Sequence, residues 1–472
     1  MVFVKVHNVI NAYFNTNCDP LCFGIYKVSL KKDFESIFSE VNLTKVFDEY
    51  ISSSGGSGVD NLSIKAFQSQ KEDQIEIVSR KALNGKYEFS KYKQKLISKG
   101  AGKAPREISI PTARDRIALR ALSDFLNKRY KGTVKNKLPQ DVIKSLKAAI
   151  DMGAYDGFIK LDVQKFYPSI KHDELLKRLR GKIRFSPALS IIESAISSAT
   201  VSSPSKHDKP NKKGVPQGLA VSNVLASIYM KNIDSYYEAK TDITYFRYVD
   251  DILILCDHSQ ANGIAKEIIR RFNKIGLKVH EPQKGADKST IGVLGEPFSY
   301  LGYYFEGNKV SVRTGSVERL KSSLAAIFTS FKYSRIKDED FLLWRLDTRI
   351  TGCIFEEKSK GWLFFFSQIN DESLLHQLDI YVEKLVERFK VKIKPKKFVR
   401  AFKELSHNKH STKYIPNFDA YSTKEKHELL LKYFPRDVAG KTLNDQQIDY
   451  YFKRRISKQI RDMLEDIKSF RS

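Results

Sequence analysis

Cysteine is scarce in this chain, and long apolar runs are missing from it. Its four cysteines form no paired metal-finger spacing, and the single close pair, Cys18 and Cys22, is more simply an accident of sequence than half of a zinc site. No stretch approaches the roughly 18 apolar residues of a membrane-spanning helix, and the N-terminus is not a convincing signal peptide. These absences predict a protein of the reducing cytoplasm that has no membrane partner.

Acidic residues are too few to balance the basic ones. The 472 residues include 82 Lys and Arg against 55 Asp and Glu, which gives a formal net charge of +27. A field that positive favours a polyanionic partner, with nucleic acid first and an anionic membrane surface second. A charge that only keeps the protein soluble is the ordinary alternative. The apolar fraction of 41% indicates a folded chain rather than a disordered one.

Internal repeats are also lacking, which excludes solenoids and propellers. The Gly/Ser-rich residues 52–58 lack the Lys-Ser/Thr ending of a phosphate-binding loop, so we expect a connector there. Between residues 157 and 310, short β-type runs alternate with helical patterns, the α+β rhythm of a sheet covered by helices on one face. Residues 315–345 show the apolar spacing of a helix. Residues 388–403 hold eight Lys or Arg and no acid, which predicts a phosphate-contacting surface or a solvated charge run.

Two adjacent carboxylates stand where a β-hairpin is expected to turn. Asp250 and Asp251 lie between two β-type runs, and a further carboxylate, Asp162, ends the strand-like run "GFIKLD". Burying such charges costs several kcal/mol unless something neutralises them. Three carboxylates from two strand ends are able to hold a pair of Mg²⁺ ions about 3.5–4 Å apart, the arrangement that stabilises an in-line phosphoryl displacement. A solvated loop pair and a turn-capping Asp are the ordinary alternatives for these residues taken singly.

The motifs around these carboxylates occur in a recognisable order. They are "REISIPTARDRIALRAL" (106–122), "KLDVQKFYPSI" (160–170), "GVPQGLAVSNVLASIYM" (214–230), "YVDD" (248–251), "GLKVHEPQKG" (276–285) and "FSYLGYYF" (298–305). In sequence and order they resemble the motifs of reverse transcriptases, in particular the bacterial branch of group II intron, retron and defence-associated enzymes. The resemblance covers residues 55 to 330.

This resemblance implies an α+β right-hand polymerase fold. Its parts would be fingers, a palm built on an antiparallel sheet with helices on one face, a helical thumb and a helical C-terminal extension. The expected segments are an N-terminal extension (1–54), fingers (55–125), palm (126–310), thumb (311–390) and a basic helical C-terminal region (391–472).

The resemblance also implies the catalytic groups. Asp162, Asp250 and Asp251 match the metal-binding triad of the family, and the backbone carbonyl of Val163 is expected to join them. Two Mg²⁺ ions, for which Mn²⁺ is a substitute, would activate the primer 3′-hydroxyl and hold the triphosphate. Lys284 matches a position proposed to protonate pyrophosphate, and its alternative is a plain surface lysine.

The remaining candidates concern the incoming deoxynucleotide. Tyr167 stands where the family places a ring under the sugar to exclude a 2′-hydroxyl, and Phe166 is expected to be a core aromatic; the alternative is that both rings are core. Gln217 and Gly218 would form a turn near the base, because glycine lets the backbone approach closely.

Two basic side chains of the fingers complete the expected nucleotide site. Arg106 is expected to bind the triphosphate, since a planar guanidinium suits a bidentate role. Lys103 is a further candidate for the triphosphate, although so basic a segment is equally able to face the template backbone.

We therefore expect an RNA-directed DNA polymerase that adds dNTPs to a 3′-hydroxyl and makes DNA on an RNA template. The chain shows no Cys/His-rich endonuclease motif, no Val-Thr-Gly signature of retron thumbs and no RNase H-like domain. By analogy, this favours a stand-alone antiphage enzyme that copies a dedicated structured non-coding RNA. A retron-like or intron-derived retroelement enzyme and a catalytically idle RNA-binding protein are the alternatives. The primer stays open, and a homo-oligomer is compatible with the sequence.

Overall fold

A computed structural model describes residues 30–52, 56–98, 102, 104–134, 137–409, 411–465 and 467. Thirteen strands fall within these ranges. In chain order they are β1 (Tyr92–Ile97), β2 (Arg106–Ile110), β3 (Gly157–Gln164), β4 (Thr200–Val201), β5 (Thr244–Tyr248), β6 (Asp251–Cys256), β7 (Lys278–Val279), β8 (Thr290–Val293), β9 (Phe298–Tyr300), β10 (Tyr303–Glu306), β11 (Lys309–Val312), β12 (Cys353–Phe355) and β13 (Lys358–Lys360).

Helices account for most of the remaining chain. In chain order the α-helices are α1 (Glu40–Val46), α2 (Ile64–Gln68), α3 (Lys71–Leu83), α4 (Ala113–Arg129), α5 (Pro139–Asp151), α6 (Phe166–Ser169), α7 (His172–Arg180), α8 (Ser186–Ser197), α9 (Ser222–Glu238), α10 (His258–Lys274), α11 (Thr314–Lys332), α12 (Glu339–Thr351), α13 (Trp362–Phe365), α14 (Glu372–Phe389), α15 (Phe398–His407), α16 (Thr423–Tyr433), α17 (Pro435–Val438) and α18 (Asp445–Met463). A π-helical turn spans Phe47–Ile51 and a 3₁₀ turn spans Phe418–Ala420.

The chain divides into two compact units. The first contains residues 1–136, 163–240 and 266–280, and the second contains residues 137–162, 241–265 and 281–472. The predicted fingers therefore belong to the first unit, and the predicted thumb and C-terminal region belong to the second. The predicted palm is divided between the units, and the predicted domain boundaries stay predictions.

In the first unit, strand β1 pairs antiparallel with β2 and parallel with β4. Helix α4 begins at Thr112, whose side chain accepts a hydrogen bond from the Asp115 amide, the usual way for a threonine to cap a helix. One face of α4 is buried because its apolar residues recur every three or four positions. The Asp115 carboxylate accepts hydrogen bonds from the Tyr87 hydroxyl (2.8 Å) and the Ser90 amide (3.1 Å), so this buried charge is satisfied.

In the second unit, β3 is the central strand of an antiparallel sheet. It pairs with β6 on one side and with β8 on the other, and β6 pairs with β5. The run Ile252–Cys256 of β6 is fully buried, as expected for a strand covered on both faces. Strands β9, β10 and β11 form a second antiparallel sheet. Its apolar residues share one hydrophobic core with helices α11, α12 and α14 and with the buried segment 362–366.

The observed architecture confirms the α+β class with antiparallel sheets and a helical C-terminal region. The prediction of one helix over residues 315–345 is wrong, because α11 ends at Lys332 and α12 begins at Glu339. The side chain of Asp338 accepts a hydrogen bond from the Phe341 amide (2.9 Å) and so starts a new helix. In the described part of the chain, no helix has both the length and the apolar character needed to cross a bilayer.

Candidate active site

Asp162 and Asp251 are brought together by strand register in the second unit. Asp162 lies near the end of β3 and Asp251 begins β6, and the two are direct partners in the antiparallel ladder. Side chains at directly opposed positions point to the same face, with Cβ atoms about 4.5–5.5 Å apart. Asp250 precedes Asp251 in the turn between β5 and β6. The predicted hairpin is therefore confirmed, and the strand that carries Asp162 runs beside it.

The hairpin turn contains a strained residue. Val249 has a backbone φ of +56°, which a β-branched residue rarely adopts. The Arg247 guanidinium donates a hydrogen bond to the Val249 carbonyl (2.9 Å), and the Tyr300 hydroxyl donates one to the Asp251 carbonyl (3.4 Å). These contacts on both sides of Asp250 hold the turn in the conformation that presents the two carboxylates.

Negative charge is concentrated at this end of the sheet. Burial, together with the charges of Asp250 and Asp162, raises the pKa of the Asp251 carboxyl to about 7, whereas Lys160 opposes the shift. A positive charge placed near this carboxyl group would oppose the shift and stabilise its ionised form. The site therefore favours the arrival of a cation.

The donor set suits a hard divalent cation. The candidate ligands Asp162, Asp250 and Asp251 offer oxygen atoms only, and Mg²⁺ is commonly held by one or two carboxylates together with waters and substrate phosphates. Among the residues that the structure describes, no three His, Cys, Asp or Glu side chains are placed so that they hold an ion by themselves. The oxygen-only donor set would suit an ion that also takes waters or substrate phosphates as ligands. The three-carboxylate metal site and the role of the Val163 carbonyl stay predictions.

Lys160 is a charged residue that the sequence interpretation missed. It lies on β3 and its exposed fraction is only 8%. Its Nζ donates a hydrogen bond to the Asp287 carbonyl (2.6 Å), and the Ser289 hydroxyl accepts one from the Asp162 amide (3.0 Å). The sequence contained a sign that Lys160 lies near Asp162. Strand residues two positions apart share a face, and Lys160 precedes Asp162 by two.

Lys284, the predicted proton donor, lies in an exposed loop of the same unit. Its side chain is 89% exposed and its Nζ is 3.9 Å from a carboxylate oxygen of Glu296. The structure therefore shows it as a surface lysine near an acid. Its role toward pyrophosphate stays a prediction.

The two candidate aromatic residues lie in the first unit, on α6. Phe166 and Tyr167 are both buried, with exposed fractions of 2% and 6%, and their ring centroids are 5.4 Å apart. The Tyr167 hydroxyl donates a hydrogen bond to the side-chain carbonyl of Asn223, the second residue of α9. Asn223 therefore orients the Tyr167 ring, a contact that sequence inspection did not predict.

Gly218 has a backbone conformation and a close contact with β2 that favour glycine over any residue with a side chain. Its φ is +96°, and a Cβ atom there would lie 2.7 Å from the Ile108 methyl group on β2. The neighbouring Gln217 carbonyl accepts a hydrogen bond from the Ser109 amide (2.7 Å). The turn is thus fastened to β2 within the first unit. Contact of Gln217 and Gly218 with a nucleotide stays a prediction.

Arg106 is the first residue of β2, and it is half-buried. Its contact with a triphosphate stays a prediction. Lys103 lies outside the described residues, as do Cys18 and Cys22.

Comparison with known proteins identifies the domain that contains these residues. The model of the family "Reverse transcriptase (RNA-dependent DNA polymerase)" matches residues 97–305. Protein YkfC of Escherichia coli K12 is 23% identical over 291 residues, which cover 52% of this chain and 74% of YkfC. The putative COX1/OXI3 intron 1 protein of Saccharomyces cerevisiae is 22% identical over 218 residues, which cover 44% of this chain and only 26% of the yeast protein.

Solved telomerase structures are also similar to this chain. Apo telomerase from Candida tropicalis has a TM-score of 0.40 at 13% identity, with 87% of this chain and 74% of that chain covered. Telomerase from Candida albicans in complex with a fragment of telomeric RNA has a TM-score of 0.40 at 13% identity, with 84% and 67% covered.

Proposed function

We propose that this chain, which contains a reverse transcriptase domain, is an RNA-directed DNA polymerase that extends a 3′-hydroxyl by two-metal-ion catalysis. Its template would be a dedicated non-coding RNA, and its role would be antiphage defence. The observation that supports the chemistry best is the register of Asp162 with Asp251, next to Asp250. When bound, divalent cations supply Lewis-acid stabilisation of the attacking and leaving oxygens. The three carboxylates would hold these ions, and Arg247 would keep the hairpin in place.

The other candidate residues have complementary parts in this proposal. The Tyr167 ring, held by Asn223, would exclude a ribose 2′-hydroxyl. The turn at Gln217 and Gly218 would meet the incoming base pair, and Arg106 would bind the triphosphate. Lys284 would donate a proton to pyrophosphate as the general acid.

The RNA partner is supported by charge. Seven of the eight cations in the segment 388–403 are exposed: Arg388, Lys390, Lys392, Lys394, Lys397, Arg400 and Lys403. A surface of this kind contacts phosphates without regard to sequence.

The test uses the full chain purified with the RNA that accompanies it. We expect dNTP-dependent DNA synthesis with Mg²⁺ on this RNA, and none from an Asp250→Ala variant purified in the same way. Sequencing the bound nucleic acid with and without dNTPs identifies template and product together. A phage challenge tests the defence role. We expect cells that carry the wild type to survive it and cells that carry Asp250→Ala to die.

The alternatives give different results in the same experiments. The retroelement hypothesis is supported if the enzyme makes DNA on an RNA encoded by the retroelement that carries its own gene and if the cells gain no protection from phage. RNA binding with no polymerisation by the wild type supports a catalytically idle RNA-binding protein.

A further inference from the structure

The second unit buries a lysine beside its carboxylates. Lys160 and Asp162 stand two positions apart on β3, so their side chains share the face on which Asp251 lies across the ladder. A lysine that is only 8% exposed is exceptional unless it is paired. Burial lowers the pKa of the Lys160 ammonium group below its usual range, while the nearby acidic charges of Asp251, Asp287 and Asp162 oppose this shift and favour the charged form.

The ammonium group also ties β3 to the segment 287–289. Its Nζ donates to the Asp287 carbonyl (2.6 Å), and the carboxylate of the same residue accepts a hydrogen bond from the Arg313 guanidinium (2.6 Å). The Ser289 hydroxyl accepts from the Asp162 amide (3.0 Å). The strand end that presents Asp162 is therefore fixed at two points, and Lys160 supplies one of them.

Exposed lysines nearby are placed differently. The side chain of Lys284 is 89% exposed and approaches Glu296 rather than the carboxylates. Solvent screens a charge at such a position, whereas a buried charge acts at nearly full strength on its neighbours. The charge of Lys160 is therefore less screened by solvent than the charge of Lys284.

We propose that Lys160 is a positioning residue that serves as the internal countercharge of Asp162 and Asp251. It holds the acidic strand ends together before a divalent cation binds, and its positive charge weakens the binding of that cation. This inference rests on the proposed use of the three carboxylates as cation ligands. It does not depend on which nucleic acid the enzyme copies.

Thermal unfolding of the full chain in EDTA and in graded Mg²⁺ tests the proposal. For Lys160→Met, which keeps most of the side-chain volume, we expect the Tm in EDTA to fall by roughly 5 °C because the carboxylates then repel one another unopposed. Mg²⁺ should restore at least half of that loss. The Mg²⁺ concentration at half of the thermal shift should fall about tenfold relative to wild type, since a like charge has been removed.

Two further variants separate charge from packing. Lys160→Arg keeps the charge and should resemble the wild type in both conditions. Lys284→Met removes an exposed lysine from the neighbouring loop and should leave both the Tm in EDTA and the Mg²⁺ response unchanged. The proposal would be overturned if Lys160→Met lost the same Tm in EDTA and in Mg²⁺ and if Lys160→Arg showed the same losses. Such a result would indicate that Lys160 acts through packing alone.

The double variant Lys160→Met/Asp251→Asn keeps the test decisive if Lys160→Met does not fold. Removing the opposing charge as well should recover folding and raise the Tm in EDTA above that of Lys160→Met. A double variant no more stable than Lys160→Met would contradict a countercharge role. These readouts are unfolding temperatures, so they do not depend on polymerase activity. A wild type without polymerase activity would count against the proposed function and not against the countercharge role.

Discussion

Asp162 lies directly opposite Asp251 across the antiparallel pair of β3 and β6. The pairing brings carboxylates from two distant parts of the sequence to one end of a sheet, beside Asp250. Burial and the two neighbouring charges raise the pKa of Asp251 to about 7. Such an arrangement is unfavourable for the protein alone, and we expect a bound cation to relieve it. We infer that the strand register is kept for chemistry rather than for stability.

Asp162→Asn should reduce DNA synthesis at least about 100-fold, because even the outer partners of metal ligands commonly contribute 10–100-fold. The same variant should unfold at an equal or higher temperature than the wild type in EDTA, since one of the repelling charges is gone. Primer extension on an RNA template and thermal unfolding measure the two effects on one preparation.

Asp242→Asn is the matched control for that variant. Asp242 is exposed just before β5, at the end of the hairpin away from the turn. It should keep wild-type synthesis and wild-type stability. Substantial synthesis by Asp162→Asn would refute the assignment of Asp162 as a ligand.

The sequence predicted the hairpin and the strand of Asp162 because apolar, β-type residues flank both acidic positions. It did not predict Lys160, although the spacing of two residues from Asp162 was visible, because the contact of Lys160 with the segment 287–289 is known only from the tertiary structure. The Asn223 contact with Tyr167 was missed for the same reason, because the two residues are joined only by tertiary structure.

The error over residues 315–345 has a different cause. The apolar spacing continues from α11 into α12, so periodicity alone favoured one helix. Asp338, followed by the acidic Glu339 and Asp340, is a typical helix start and could have revealed the break. Local capping signals were thus present and were outweighed by the longer pattern.

Tyr167→Ala should raise ribonucleotide incorporation by about 10-fold or more, because the ring is expected to be what excludes the 2′-hydroxyl. The measurement is the ratio of kcat/KM for a dNTP and the matching rNTP on the same primer and template. Deoxynucleotide incorporation is expected to persist at a reduced rate, since the carboxylates are untouched.

Tyr167→Phe separates the ring from its hydroxyl. It keeps the ring and loses the hydrogen bond to Asn223, so sugar selectivity should stay close to wild type. Unchanged selectivity in Tyr167→Ala would show that Tyr167, like Phe166, is only a core aromatic.

Neutralising Lys397, Arg400 and Lys403 to Gln should weaken RNA binding at low salt. Each lost phosphate contact lowers the slope of log affinity against log salt by about one. Fluorescence anisotropy with the co-purified RNA at several salt concentrations measures both affinity and slope. The control replaces Lys424, Lys453 and Lys458, which are also exposed, and changes net charge equally. Equal slopes in the two triple variants would indicate that no specific surface is involved.

The pair formed by Arg455 and Asp437 predicts how the C-terminal helices respond to pH. The Arg455 Nη2 donates to an Asp437 carboxylate oxygen (2.7 Å), and this contact between α18 and α17 lowers the pKa of Asp437 below its usual range. A lowered carboxyl pKa stabilises the fold above the pKa of the unfolded chain, about 3.9, and the benefit disappears as the pH falls through the lower, folded value. Arg455→Met should therefore lower the free energy of unfolding by about 1–3 kcal/mol at pH 7.

The difference between wild type and Arg455→Met should shrink as the pH falls below about 4. Urea unfolding of the full chain at a series of pH values, followed by helical circular dichroism, measures it. Arg454→Met is the matched control, because that neighbouring arginine is exposed and lowers the pKa of Asp437 through its charge only, whereas Arg455 also donates hydrogen bonds to it. It should show little loss at any pH. A difference for Arg455→Met that stays constant or grows in acid would mean that the guanidinium stabilises these helices through packing rather than through the Asp437 charge.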